Sequence, residues 1–259
     1  MGTSQGKRLR VLILLLILLF VALQQAATRW RVNNWDGTLW AVAYPVNADN
    51  SVISTHYITQ LQEADFDDIE KFFVEESEAY DLPLGQPLTI KLAPPMTKRP
   101  PPPPQSGFLA IVWWSLKARW WAWSEDTFKG PAADIQLFLL YHDPETHPTL
   151  QHSIGIRNGG YALVNLFAAP EQRGENSVII AHELMHTLGA TDKYDPVSGR
   201  PIFPDGYAKP GQTPLYPQYF AELMAGRIAN SATSATIPSS LDEVLIGALS
   251  AREINWVQE

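Results

Sequence analysis

The stretch His182-Glu183-Leu184-Met185-His186-Thr187-Leu188-Gly189-Ala190-Thr191-Asp192 decides how this chain is read. It has the form H-E-x-x-H-x-x-G-x-x-D. The apolar residues at 177–181 predict one buried helix continuous with it. Residues four apart share a helical face and lie about 6 Å apart along the axis. His182 and His186 therefore stand side by side, at the reach a single metal ion needs. Glu183 is one position on, where its carboxylate points at a water on that metal without being a ligand. Gly189 falls where a helix commonly ends in a left-handed turn that a Cβ resists. A sharp turn there folds the chain back and offers Asp192 as a third ligand. Asp195 is close enough in sequence to compete for that place, and Glu222 would serve if a later helix supplied the ligand.

With its glycine and terminal carboxylate, the motif resembles that of the metzincin clan of zinc peptidases, H-E-x-x-H-x-x-G-x-x-H. Asp192 stands where most members carry histidine, as it does in the snapalysin-type enzymes. The resemblance implies a zincin-like α/β (α+β) fold: a twisted mixed sheet with packed helices, an active-site helix, an irregular lower half and a C-terminal helix. It implies one catalytic Zn2+ on His182, His186 and Asp192, with Glu183 as general base in peptide-bond hydrolysis. It also implies a methionine in a tight turn beneath the metal, and Met224 follows His186 by 38 residues. By the same resemblance, an extended protein or peptide substrate pairs with the sheet-edge strand, whose backbone Gly160, Tyr161, Ala162, Leu163, Val164 and Asn165 supply. Tyr194, Tyr207, Tyr216 and Tyr219 are all available to steady an oxyanion.

A continuous apolar run predicts a buried strand at 134–141, and the stretches 39–46, 88–92 and 159–167 read as further strands. Apolar residues at helical spacing predict one long amphipathic helix over 57–80 and a closing helix over 239–256. The order of elements is that of an α/β layer with one face covered. Residues 191–217 are rich in Pro, Gly, Asp and Tyr and predict loops. The proline run in 94–106 predicts a stiff polyproline connector or a docking site for a proline-reading domain. At 107–123, Leu109, Trp113, Leu116, Trp120 and Trp123 form one apolar helical stripe, widened by Trp114 and Trp121. Either that helix packs on the sheet or its indoles rest at a bilayer interface. His142, His147 and His152 lie in a polar loop without a partner at ligand spacing, which marks them as solvated.

The 259 residues suffice for one domain, 38–259, with an N-terminal appendage. A basic segment, 1–10, precedes eighteen uncharged residues at 11–28, which rise about 27 Å as a helix. They predict a transmembrane signal anchor with its N-terminus cytoplasmic, then a tether at 29–37 and a catalytic domain outside the cytoplasm. Secretion after signal cleavage is the alternative, although Gln24 and Gln25 make a poor cleavage site. The net charge is −8, and all five charged residues before Val32 are basic. The acidic remainder makes nucleic acid a poor partner. Cysteine is absent, so disulfides, thiolate metal sites, a cysteine nucleophile and a cysteine switch are excluded. The rival functions are a metal-dependent hydrolase of non-peptide substrates and a membrane-tethered metal-binding interaction module without turnover.

Overall fold

The computed structural model describes residues 3–102, 104, 106–156 and 160–257. It is a mixed α/β (α+β) fold around a five-stranded sheet ordered β2-β1-β3-β5-β4. The strands are β1 (Leu39–Asn47), β2 (Leu88–Leu92), β3 (Ile135–His142), β4 (Ile154–Ile156) and β5 (Tyr161–Phe167). β2, β1, β3 and β5 are parallel neighbours, and β4 alone runs antiparallel, on β5. The four parallel strands are those expected: β1, β3 and β5 are buried on both faces and need no alternation, whereas β2 at the edge alternates along LTIKL. β4 is too short to leave such a signal. Gly159 of the expected last strand, Pro103 and Gln105 of the proline run, and the terminal residues 1–2 and 258–259 lie outside the described residues.

The helices are α1 (Thr3–Asn34), α2 (Val52–Gln60), α3 (Asp67–Ala79), α4 (Phe108–Ser124), α5 (Arg173–Leu188) and α6 (Ala248–Glu253). The chain leaves β1 through α2 and α3 to reach β2 on one side, then returns through α4 to β3 on the other. Right-handed crossovers in opposite directions put their helices on opposite faces. The larger core accordingly joins Ile69, Phe72 and Phe73 of α3 to Leu184 and Met185 of α5. The smaller joins Ala118, Trp121 and Ala122 of α4 to Tyr44, Phe138 and Tyr161. The sheet is thus covered on both faces, not one. On α4 the buried side is Trp121 with Ala118, while Trp113, Trp120 and Trp123 of the expected stripe are 66–77% exposed.

Several boundaries differ from expectation. The expected helix over 57–80 is two helices, parted by an extended residue at Leu61 and a 3-10 turn at Glu63–Phe66. The Gln62 N–H donates to Asp65 Oδ2 at 2.8 Å, a reciprocal cap that starts a new helix. The expected C-terminal helix is only α6, because the N–H groups of Ile246 and Gly247 donate to Glu76 and Glu222 instead of to helical carbonyls. Residues 29–34 are not a tether but the end of α1. Val32 and Trp35 are buried, Trp35 Nε1 donates to Ile254 O at 2.6 Å, and Arg31 pairs with Asp134.

Among the described residues no helix is long and apolar enough to cross a membrane. The transmembrane anchor over 11–28, and with it the single-pass placement, is corrected on that finding. A span takes about 20 consecutive apolar residues. The described side chains of α1 do not make up such a run, and those at 14, 17, 18, 20 and 21, among others, lie outside the described set.

Candidate metal centre

α5 is anchored at both ends. At its start the Asn176 side chain clamps the end of β5, accepting from Phe167 N at 3.2 Å and donating to Phe167 O at 2.9 Å. At its end Gly189 takes φ 119°, and Gly189 and Ala190 both donate to Met185 O. This is the left-handed termination that the sequence requires. Beneath the helix lies Gly155 of β4. A Cβ there would meet His186 Cβ at 2.5 Å and Glu183 O at 2.7 Å, so only glycine lets strand and helix approach this closely.

The turn after Gly189 brings Asp192 back over the helix. His182 Nε2 and His186 Nε2 each lie 3.2 Å from the same Asp192 Oδ1. Each ring is held from behind: His182 Nδ1 donates to Leu223 O and His186 Nδ1 to Ala190 O, both at 2.9 Å. With the proton on Nδ1, both Nε2 lone pairs face inward beside a carboxylate, a donor set suited to a metal ion. Glu183 is buried next to them, and its Oε2 has no hydrogen-bond partner.

The electrostatics follow from this packing. Burial pushes the Glu183 carboxyl above its ordinary pKa, and the two imidazoles pull it back only in part. Burial also opposes the Asp192 charge, but in the metal-free protein His182 and His186, when protonated on Nε2 as well, donate to it and hold Asp192 well below the usual carboxylate range. Burial lowers His182, and the Asp192 carboxylate, the Glu183 charge and the Leu223 carbonyl together more than reverse this, so its pKa is raised.

Two supports come from distant sequence. Met224 is fully buried in a tight turn from Glu222 to Gly226, the turn whose Leu223 carbonyl holds His182. Glu222 staples that turn from within. Its carboxylate accepts from Ala225 N at 2.9 Å, Gly247 N at 3.1 Å and Ser250 Oγ at 2.6 Å. This buried role removes Glu222 as a rival ligand. Glu253 of α6 fixes the residues flanking Asp192, accepting from Thr191 N at 2.9 Å, Thr191 Oγ1 at 2.6 Å and Lys193 Nζ at 2.7 Å. The Lys193 side chain is only 5% exposed. Glu253 escaped the sequence reading because no motif links it to residues 191–193.

No protein-family model matches this sequence, and no curated protein matches it.

The remaining expected site residues separate clearly. Asp195 is turned away, capping Val197 and Ser198. Tyr207 and Tyr216 bond each other at 2.7 Å and Tyr219 is 69% exposed. Tyr194 alone of the four lies at the site, its ring 6.5 Å from that of His182. Burial raises the Tyr194 pKa, as do the Asp192 and Glu183 charges. The expected edge strand is corrected. Tyr161, Ala162 and Leu163 are paired with β4, and Asn165 N donates to Ser153 Oγ at 2.9 Å. Val164 belongs to the same inner strand, and the carbonyl of Gly160, just before it, accepts from Gln136 N at 2.8 Å, so the free edge passes to Ile154–Ile156. A cleft of about 400 Å³ reaches Ser153, the residue before that edge, and is lined by Val178, Ile179, His182, Glu183, Tyr194 and Ile237 among others.

Proposed function

We propose that the chain is a zinc-dependent endopeptidase of the metzincin type. The observation that carries this reading is the convergence of His182 Nε2 and His186 Nε2 on Asp192 Oδ1 beside the unpartnered Glu183 Oε2. His182, His186 and Asp192 would hold the ion. Two imidazoles with one carboxylate suit zinc and leave a coordination position open. When bound, zinc polarises the scissile carbonyl and lowers the pKa of water towards about 7.

The protein's own groups supply the rest. Glu183 Oε2 accepts the proton of the attacking water and returns it to the leaving amine nitrogen. Its burial raises the carboxyl's basicity towards what that transfer needs near neutrality. The Leu223 and Ala190 carbonyls keep the Nδ1 protons of both histidines in place, which orients Nε2 inward. The Tyr194 hydroxyl is the donor nearest the site for charge developing on the carbonyl oxygen. The unpaired side of Ile154–Ile156 suits β-addition of an extended peptide, whose side chain would enter the apolar wall formed by Val178, Ile179 and Ile237.

The test is incubation of the full chain, loaded with zinc, with a mixed peptide pool read by mass spectrometry, beside the Glu183→Gln protein. Cleavage by the first and none by the second, at equal zinc content, is expected. Equal cleavage by both would overturn the assignment of Glu183. No cleavage by either would remove the peptidase reading.

A further inference from the structure

On the far side of β5 from α5, a second group of ligand-type side chains comes together. Asp49 enters from the loop after β1, His142 from the end of β3, and His147 from the connection to β4. One ligand atom from each lies within 4.8 Å of the other two. His147 Nδ1 stands 3.7 Å from Asp49 Oδ2, and the Asp49 side chain is only 3% exposed. The two imidazole centroids are 5.2 Å apart.

The protonation of His142 can be read from its neighbour. The Asn165 amide nitrogen donates to His152 O at 3.3 Å, which turns Asn165 Oδ1 towards His142 Nε2 at 3.0 Å. A carbonyl oxygen only accepts, so Nε2 carries the ring proton. His142 Nδ1 is left with a lone pair, buried and without a hydrogen-bond partner. A ring whose one nitrogen is tied to an amide oxygen while the other presents a buried lone pair has the arrangement of a metal-bound histidine. Asp49 is likewise pre-set: Oδ1 accepts from Ser51 N at 2.9 Å and Oδ2 from Asp143 N at 2.6 Å.

We propose that Asp49, His142 and His147 form a second metal site, of the zinc class, distinct from the one on α5. Two imidazoles and a carboxylate exclude calcium and magnesium, which take oxygen ligands. Zinc bonds of about 2.0–2.2 Å are reached from the observed spacing by small side-chain rotations. The role is structural. The chain between β3 and β4 contains no helix or strand, and its last residues, Leu150, Gln151, His152 and Ser153, line the cleft just before β4 begins. An ion on Asp49, His142 and His147 ties this connection to the loop after β1 and to the end of β3, and so sets the position of the Ile154–Ile156 edge.

The experiment is zinc stoichiometry by equilibrium dialysis and mass spectrometry of the metal, on four full-length proteins: wild type, Asp49→Asn, His147→Ala and the His182→Ala/His186→Ala double variant. Circular dichroism confirms folding in each. Two ions are expected in wild type and one in each variant. Zinc should also raise the melting temperature of the double variant, and should cease to do so when His147→Ala is added to it. One ion in wild type, retained by His147→Ala and Asp49→Asn and lost by the double variant, overturns the second site and leaves the first. One ion in wild type that survives the double variant and is lost by His147→Ala overturns the first and supports the second. Asp49→Asn decides the matter if His147→Ala does not fold, because an asparagine still accepts from one of the two N–H groups, of Ser51 and Asp143, that Asp49 satisfies.

Discussion

His182 Nδ1 and the Leu223 carbonyl meet at 2.9 Å and join the helix of the candidate site to the turn of Met224. Through that bond the orientation of the ring depends on residues that touch no ligand. Glu222 is the chief of them, since its buried carboxylate takes up Ala225 N, Gly247 N and Ser250 Oγ. Glu222→Ala strands these donors, and the expected cost is about 2–4 kcal/mol of stability. Zinc affinity should fall with it, by roughly 10–100-fold, as for other groups that orient a ligand. Chemical denaturation and zinc titration check the two effects separately.

Glu253 plays the matching part for Asp192. Glu253→Ala leaves Lys193, 5% exposed, as a buried cation without its carboxylate. The expected loss is about 3–5 kcal/mol. Burial opposes the Glu253 charge, but Lys193 and Thr191 outweigh it and depress the pKa. Its contribution is therefore present above the ordinary carboxylate pKa and disappears as pH falls through the depressed value. Unfolding of wild type and Glu253→Gln across the acid range reads this, and the two curves should converge at low pH.

Gly155→Ala places a methyl 2.5 Å from His186 Cβ and 2.7 Å from Glu183 O. Neither is a flexible side-chain end, so β4 and α5 must move apart. The expected destabilisation is about 1–3 kcal/mol. Displacement of Glu183 and His186 should lower turnover by more than stability alone explains. Activity measured well below the melting temperature separates the two.

Glu76 gives a pH dependence of opposite sign. Burial raises its carboxyl to about 7. The folded state thus holds this proton more tightly than the unfolded chain, whose value is near 4.5. The stabilisation is complete below about pH 4.5 and is lost as pH rises to about 7, amounting to about 3 kcal/mol at most. Glu76→Gln, neutral throughout and still able to accept from Ile246 N, should flatten the stability profile across that window.

Much of this was legible in local sequence. The i, i+4 histidines, Gly189 and Asp192 act within eleven consecutive residues, so helix geometry and one left-handed turn suffice to assemble them. Three of the four parallel strands are buried runs found from length and apolarity, and β2, LTIKL, alternates. The tryptophan helix was found but its inward side was not. The stripe is wide and its indoles are bulky, and the sheet instead took the side of the helix where the small Ala118 and Ala122 let it approach Trp121. The single helix expected over 57–80 failed for a different reason: apolar spacing continues across Leu61, while the Gln62–Asp65 cap interrupts it.

The sequence by itself determined what depends on neighbours a few residues away: the helix of the motif, its stop at Gly189, the four parallel strands and the loop-rich segment after Asp192. Strand order, and with it the free edge, was decided only when Ile154–Ile156 folded back on Tyr161–Leu163. The staples of Glu222 and Glu253, and the meeting of Asp49 with His142 and His147, were likewise decided by the tertiary structure. These residues lie far apart along the chain, and no periodicity or turn relates them. Their proximity follows from how crossovers and loop closures stack the elements, which makes a histidine that reads as a solvated loop residue in sequence part of a half-buried ligand-type cluster in space.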